Sequence, residues 1–486
     1  MGRMTDHRIV MRCRVAVSFI LATVAVGCAT QRSPAPPHPS VAPATQPSAS
    51  LSIGGADVRP MYRELLAVDL PTVLRVAAAQ NLDIAQARER VEAAKGRYES
   101  SVEAIVPVIA PSLAYQHLEG VNQNANGSLT AANFTNFLPA ISVQWILNPG
   151  RVVYDIIASK RRMEASEQQQ DAVVLDTART AALQYYDLVL AQAQLGVARQ
   201  AVAEAEELLR ITKLKVKSGT GVPADELRAE ANLGGFEQDV VLALNRFYQT
   251  SVGLTLTLHL DPVVTLVPGG ESITQTMLVR DDMPIEELLA MAAQYRPDLE
   301  AVRTLLRSAR ADIGTVMWGD LGPQLQAGYT YGGLQTKTSA NNNTGLHGLH
   351  EQQKAGVGAS FAFGLSTFGH IKVANANERL AAVDVQRQTD QVRAAVVSAQ
   401  QTSAANARLI PIARRQLDAA EEALRLAQAN LKAGTMLTID VLQVQAEVDR
   451  ARLRYVDAVV HYNQAQVNLL AALGLMEPDA TATAHR

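Results

Sequence analysis

The chain has 486 residues, a formal net charge of −3, 48% hydrophobic residues and only 5% aromatics, with Ala, Gln, Leu, Val, Glu and Arg prominent. That length allows two or three ordinary domains, but the composition is that of long helices rather than of a compact mixed core. No basic footprint is present to suit a nucleic-acid partner. No apolar run beyond the N-terminus approaches the roughly 20 residues of a membrane helix, so a membrane would have to be met through a lipid or a β-barrel.

The N-terminus reads as a secretory signal over residues 1–27: Arg8, Arg12 and Arg14, then the apolar run Val15–Gly27. Ala25-Val26-Gly27-Cys28 resembles a bacterial lipobox, with Ala25 where Leu is usual. The resemblance implies that Cys28 is lipidated, and Ala29 rather than Asp beside it implies sorting to an outer membrane. The other cysteine is Cys13, so a chain starting at Cys28 makes no internal disulfide. Residues 28–62 are rich in Pro, Ala and Ser and read as a flexible tether.

Beyond the tether the chain says one thing twice, over 63–262 and over 284–475. The first half opens with a helix from Pro71 to about Val106, carrying Ala77, Ile84, Val91, Tyr98 and Ile105 seven apart. Two period-two stretches follow, Pro107–Leu118 and Phe137–Leu147, with a polar loop expected over 119–136. Next comes a long helix from Gly150 to Lys217 with Val174, Ala181, Leu188, Leu195, Val202, Leu209 and Val216 at every seventh place. It ends at the tip Ser218-Gly219-Thr220-Gly221-Val222-Pro223-Ala224-Asp225, and a shorter helix returns to Leu258. Lys213, Lys215 and Lys217 suit the C-terminal end of the long helix.

Residues 263–283, punctuated by Pro and Gly, read as a linker crossing between the halves at mid-height. The second half then starts a helix at Pro284, with Leu288, Tyr295, Val302, Ala309 and Val316 seven apart. Strands are expected at Pro323–Leu334 and Ala355–Leu365, where Leu325, Ala327, Tyr329 and Tyr331, and Val357, Ala359, Phe361 and Phe363, alternate with other residues. A long helix from His370 to Lys432 carries Val396, Ser403, Ile410, Leu417, Leu424 and Leu431, and Pro411 is expected to kink it. The second tip, Ala433-Gly434-Thr435-Met436-Leu437-Thr438-Ile439-Asp440, leads into a return helix ending near Leu473, and 476–486 is a tail. Two stripes run down that return helix, Ala451, Ala458, Ala465 and Ala472 beside Val448, Tyr455, Tyr462 and Leu469, as in a helix with neighbours on both sides.

Lengths add up. Each long helix, at roughly 63–68 residues, spans about 100 Å at 1.5 Å per residue. Each pair of shorter helices, about 36 residues apiece, matches it when stacked end to end. The expectation is a rod with strands at one end and both tips at the other. Strands of roughly 10–12 residues suit a bilayer, and four do not close a barrel when the smallest has about eight, so copies would have to pool them. The alternative is a small soluble sheet capping a coiled coil. Trp145 and Trp318 fit interfacial anchors or core residues at the helix–strand junction. His347-Gly348-Leu349-His350-Glu351 reads as a solvated loop rather than a metal site, and no catalytic constellation or cofactor motif stands out.

The duplicated order of helix, two strands, long helix, tip and short helix resembles the TolC-type outer membrane factor family. Supporting residues are Gly219-Thr220…Asp225-Glu226-Leu227, Gly434-Thr435…Asp440-Val441-Leu442 and Leu147-Asn148-Pro149-Gly150-Arg151. The resemblance implies a mainly α chain with a small β part. Three chains would build an α-barrel across the periplasm, capped by a twelve-stranded transmembrane β-barrel to which each gives four strands. It implies a homotrimer in the outer membrane, of the lipid-anchored branch, serving a tripartite efflux pump as a passive duct with a periplasmic adaptor and an inner-membrane transporter. The tips, with Ser218, Gly219, Thr220, Asp225, Gly434, Thr435 and Asp440, would dock the adaptor. Asp440 stands where the family narrows its entrance with a first Asp, and Gln443 replaces the second, so one acidic ring is expected where the family has two. Asp440 equally suits a helix N-terminus. Alternatives are a type I secretion exit duct and a non-channel periplasmic coiled-coil scaffold or adaptor.

Overall fold

A computed structural model of the chain describes residues 64–123, 127–269, 274–338 and 349–476, all within the compact unit Pro60–Arg486. Cys28, the signal segment, the whole of the tether, and His347 lie outside the described residues. The first half runs β1 (Glu64–Val68), α1 (Leu70–Gln80), α2 (Leu82–Glu103), β2 (Val108–Gln123), β3 (Leu129–Leu147), α3 (Pro149–Lys217) and α4 (Pro223–Thr257). The second runs β4 (Val264–Pro268), α5 (Ile285–Tyr295), α6 (Pro297–Leu321), β5 (Gln324–Thr338), β6 (His350–Ser360), α7 (Ser366–Ala433) and α8 (Thr438–Ala472). The chain is mainly helical with a small strand part.

The long helices are α3, with 69 residues, and α7, with 68, so each spans about 100 Å. Local chemistry sets where α3 starts. Asn148 caps it, its Oδ1 accepting from Arg151 N at 3.0 Å, and Pro149 supplies a first-turn residue that needs no amide partner. Most of the expected heptad residues are core: Ala181, Leu188, Leu195 and Leu209 are buried, as are Val396, Ser403, Leu417, Leu424 and Leu431 on α7, while Val174, Val202, Val216 and Ile410 are half-buried. Helix α7 starts four residues before His370 and runs as one helix through Pro411. Proline there deletes one amide donor, and the flanking helical bonds carry the helix past it. All four alanines of the small stripe on α8 are buried, with Val448, Tyr462 and Leu469, because α3 and α7 pack on either side of it.

The expected first helix of each half is two helices. In the first half the break is Asn81, extended at φ −64° and ψ 133°; in the second it is Arg296 at φ −75° and ψ 115°. Each break residue also closes the end of the returning helix. Asn81 Oδ1 accepts from Asp83 N and Ile84 N, while its Nδ2 donates to Thr257 O near the end of α4 at 3.0 Å. Arg296 Nη1 donates to Ala472 O at the end of α8 at 3.4 Å. The short helices are therefore stacked end to end through hydrogen bonds that satisfy otherwise orphaned terminal carbonyls.

The two returning helices finish alike, but on different residues. Leu260 N donates to Thr255 O and Leu475 N to Leu470 O, each around a left-handed residue: His259 at φ 54° in the first half, Gly474 at φ 79° in the second. Histidine pays a steric cost in that region that glycine does not. His259 is exposed. His259→Gly is therefore expected to stabilise the protein modestly, by about 0.5–1 kcal/mol, as a rise in thermal midpoint.

The strands extend past their apolar cores. β2 and β3 have 16 and 19 residues and pair antiparallel from Val108↔Gln144 to Gln123↔Leu129, so most of the loop expected over 119–136 is a hairpin stem. β3 pairs with β5, joining the halves, and β5 with β6, giving the order β2-β3-β5-β6. β6 starts five residues earlier than expected and stops at Ser360, leaving Phe361 and Phe363 beyond it. A second, unexpected sheet joins β1 and β4 in parallel, Glu64↔Val264 to Val68↔Pro268, so the expected linker begins with a strand. Leu266 from this sheet is buried with Val73, Ala77, Leu188, Phe247 and Leu254.

Candidate functional site

Both tips end their long helices by the same glycine device. Gly219 and Gly434 have φ 77° and 79°. Gly219 N donates to Val216 O and Thr220 N to Lys215 O; Gly434 N donates to Leu431 O and Thr435 N to Asn430 O. The threonines add a hydroxyl bond to the same carbonyls, Thr220 Oγ1 to Lys215 O at 3.3 Å and Thr435 Oγ1 to Asn430 O at 3.2 Å. This explains the Gly-Thr pair: glycine takes the left-handed turn, and threonine doubly satisfies a terminal carbonyl. At the first tip Ser218 Oγ also donates to Lys215 O, and Asp225 pairs with Arg228 at 3.2 Å.

The tips lie side by side. Lys215 Nζ donates to Leu431 O at 2.7 Å, crossing from the end of α3 to the end of α7. That gives Lys215 a specific partner beyond its place at a helix C-terminus. Beneath it Leu208, Leu424, Ala427, Leu431, Val441 and Val448 form one core. Apolar side chains nevertheless remain uncovered at this end: Leu214, Val222, Leu227 and Leu437 are all exposed. Asp440 is half-buried in the first turn of α8, its amide donating to Leu437 O, and Gln443 is exposed one turn further on.

At mid-height, residues 274–283 are strapped to α8. Asn463 Oδ1 accepts from Thr276 N at 2.9 Å and its Nδ2 donates to Thr274 O at 2.9 Å. Gln466, fully buried, accepts from Leu278 N and Val279 N at 3.0 and 2.8 Å and donates to Asp281 Oδ1 and Ser403 Oγ. Tyr462 donates to Asp281 Oδ2 at 3.1 Å. The strap thus binds α8 and, through Ser403, α7.

A charged cluster on the tip side of this strap was not singled out from the sequence. Arg452 of α8 contacts Glu204 of α3, Glu421 of α7 and Asp449 of α8 at 2.9, 3.3 and 3.5 Å. Its signal was present: Asp449 and Arg452 directly follow Val448 and Ala451 of the two buried stripes, where a surface helix would turn its charges away.

At the strand end, Trp145 Nε1 donates to Ile105 O and Asn148 Nδ2 to Trp318 O, both at 2.7 Å. A Cβ on Gly150 would lie 2.2 Å from the Trp318 ring. Both tryptophans are thus built into the helix–strand junction. Among the described residues, no group of three or more His, Cys, Asp and Glu is arranged to hold a metal, and no helix is long and apolar enough to cross a membrane.

Residues 73–258 and 288–475 match the outer membrane efflux protein family. The chain is 22% identical over 420 residues to nodulation protein T of Rhizobium leguminosarum bv. trifolii, covering 83% of this chain and 85% of that one. Its fold is similar to the CmeC outer membrane channel of Campylobacter jejuni, with a TM-score of 0.70 at 17% identity, covering 85% and 88% of the two chains. It is also similar to the MtrE outer membrane channel of Neisseria gonorrhoeae in its open state, with a TM-score of 0.69 at 19% identity, covering 84% and 89%.

Proposed function

The chain belongs to the outer membrane efflux protein family, and on that premise we propose that three copies of it form a passive exit duct across the periplasm and outer membrane. The observation that carries this reading is the four-stranded sheet at one end of a rod about 100 Å long. Its outer strands β2 and β6 have no further partner among the described residues, and Leu113, Tyr115, Val121 and Val357 are well exposed on it. Open edges are not tolerated in lipid, and four strands are too few to close. Three copies supply twelve.

In this arrangement the chain does no chemistry. Energy comes from an inner-membrane transporter, and a periplasmic adaptor docks on the tips, where Leu214, Val222, Leu227 and Leu437 offer exposed apolar contacts. Cys28 carries the lipid that adds a second hold on the outer membrane. Three copies of Asp440 make an acidic ring at the entrance that selects cations, and Gln443 leaves a second ring uncharged.

The test is electrical. Purified protein in a planar bilayer is expected to give discrete single-channel currents and a trimeric mass. A trimer that never conducts, even as Asp440→Ala, overturns the duct and favours a coiled-coil scaffold.

A further inference from the structure

The Arg452 cluster sits about 20 Å along α8 from its start at the second tip. Arg452 and Asp449 are each 8% exposed. The single guanidinium faces three carboxylates from three helices: Glu204 of α3, Glu421 of α7 and Asp449 of α8. Asp239 of α4 adds a further negative charge acting on Asp449. Glu421 and Asp239 reach solvent, but Asp449 and Glu204 are largely enclosed, so two enclosed carboxylates share one guanidinium.

Hydrogen bonding does not balance either. Neither oxygen of Asp449 accepts a hydrogen bond among the described residues, and Glu204 Oε2 and Gln445 Oε1 are likewise unpartnered and buried; against these four acceptor atoms stands one unpartnered buried donor, Arg452 Nη1. The Arg452 contact to Asp449, at 3.5 Å, supplies charge attraction without a proper hydrogen bond. A buried carboxylate with no donor is costly in its charged form, and a second carboxylate nearby raises that cost. One proton answers both deficits. It removes a like charge and puts a donor where acceptors are in excess.

We propose that this cluster is a proton-binding site that fastens the second hairpin to α3: with the proton bound, α3, α7 and α8 stay packed, and with it lost they loosen. Burial first, and then the Glu204 carboxylate, push Asp449 up to about 6 from an ordinary 3.8. The sign follows. A carboxyl raised in the packed state favours packing fully below its ordinary value, and that contribution is lost as pH rises through about 6. Between pH 5 and pH 7 the ratio of packed to loosened forms is expected to fall about tenfold. Helix α8 carries Asp440 and the second tip, so on the duct reading, which this consequence rests on, acid holds the entrance shut and neutral pH releases it.

Hydrogen–deuterium exchange on the purified full-length protein tests this without needing a channel. After correction for intrinsic exchange, amides over 441–455 are expected to be about tenfold better protected at pH 5 than at pH 7. Asp449→Asn should abolish the response, and Glu204→Gln should move its midpoint to lower pH. Equal protection at both pH values, an unchanged response in Asp449→Asn, or an unmoved midpoint in Glu204→Gln each overturns the site. Bilayer recordings run in parallel separate the two ideas. Protection that depends on pH without any conductance keeps the proton site and sinks the duct, and conductance without pH-dependent protection does the reverse.

Discussion

Gly474→Ala is expected to lower the unfolding free energy by about 3 kcal/mol or more, a larger loss than substitution of an exposed residue produces. Two independent costs add. Gly474 has φ 79°, where a side chain is strained. A Cβ there would also sit 2.7 Å from Tyr295 O, 2.8 Å from Tyr295 C and 3.0 Å from Arg296 Cα. These are backbone atoms, pinned by the α5–α6 break and by the Arg296 bond to Ala472 O, so they cannot swing aside as a flexible side chain does. Denaturant unfolding of the purified protein reads the loss. His259→Gly, at the matching place in the first half, should move the other way. A Gly474→Ala protein as stable as its parent would show that the end of α8 and the break at Arg296 are not tightly stacked.

The repeat and the tips were legible because both are written in residue type. An apolar residue every seventh place marks a long buried seam whatever its partner, and Gly-Thr marks a left-handed helix end. The breaks at Asn81 and Arg296 were hidden because the seven-residue rhythm continues through them: Ala77 and Ile84 straddle one, Leu288, Tyr295 and Val302 the other. The rhythm of residue type runs on while the buried face shifts, to Ala87, Ala94 and Ser101 beyond Asn81 and away from the exposed Tyr295 at the second break, so periodicity cannot report the change. Pro297 was the available clue, since proline favours a first helical turn and drives the residue before it to extended geometry. Strand ends were hidden for a related reason. Residues 119–123 and 129–136 pair through their backbones, but their apolar residues, Val121, Leu129, Ala131, Ala132 and Phe134, do not alternate regularly with polar ones. The Arg452 cluster draws its members from three helices up to 248 residues apart in sequence, between Glu204 and Arg452, and only packing brings them together.

Gln466→Leu is expected to cost about 3–5 kcal/mol, although it nearly conserves volume and adds apolar surface to a fully buried position. The side chain closes four hydrogen bonds at once. Leu278 N and Val279 N would lose their acceptor, and Ser403 Oγ and Asp281 Oδ1 would lose a donor. Each buried amide left unmade costs about 1–3 kcal/mol, and leucine offers nothing in return except contacts the glutamine stem already makes. Asp281 keeps Tyr462 at 3.1 Å and Ser403 at 3.2 Å, so the strap should loosen around 278–279 rather than detach. Faster amide exchange confined to that segment, with a lower denaturation midpoint, is the expected pair of results; a loss under 1 kcal/mol with unchanged exchange would contradict it. The strap also decides where α8 can bend. Asn463 and Gln466 hold its upper half to residues 274–283, while the Arg452 cluster holds its lower half through charges that depend on a proton. Loosening of the second hairpin therefore has a fixed end at mid-height and a releasable end towards the tips, and Gln466→Leu should blunt any tip response by softening the fixed end.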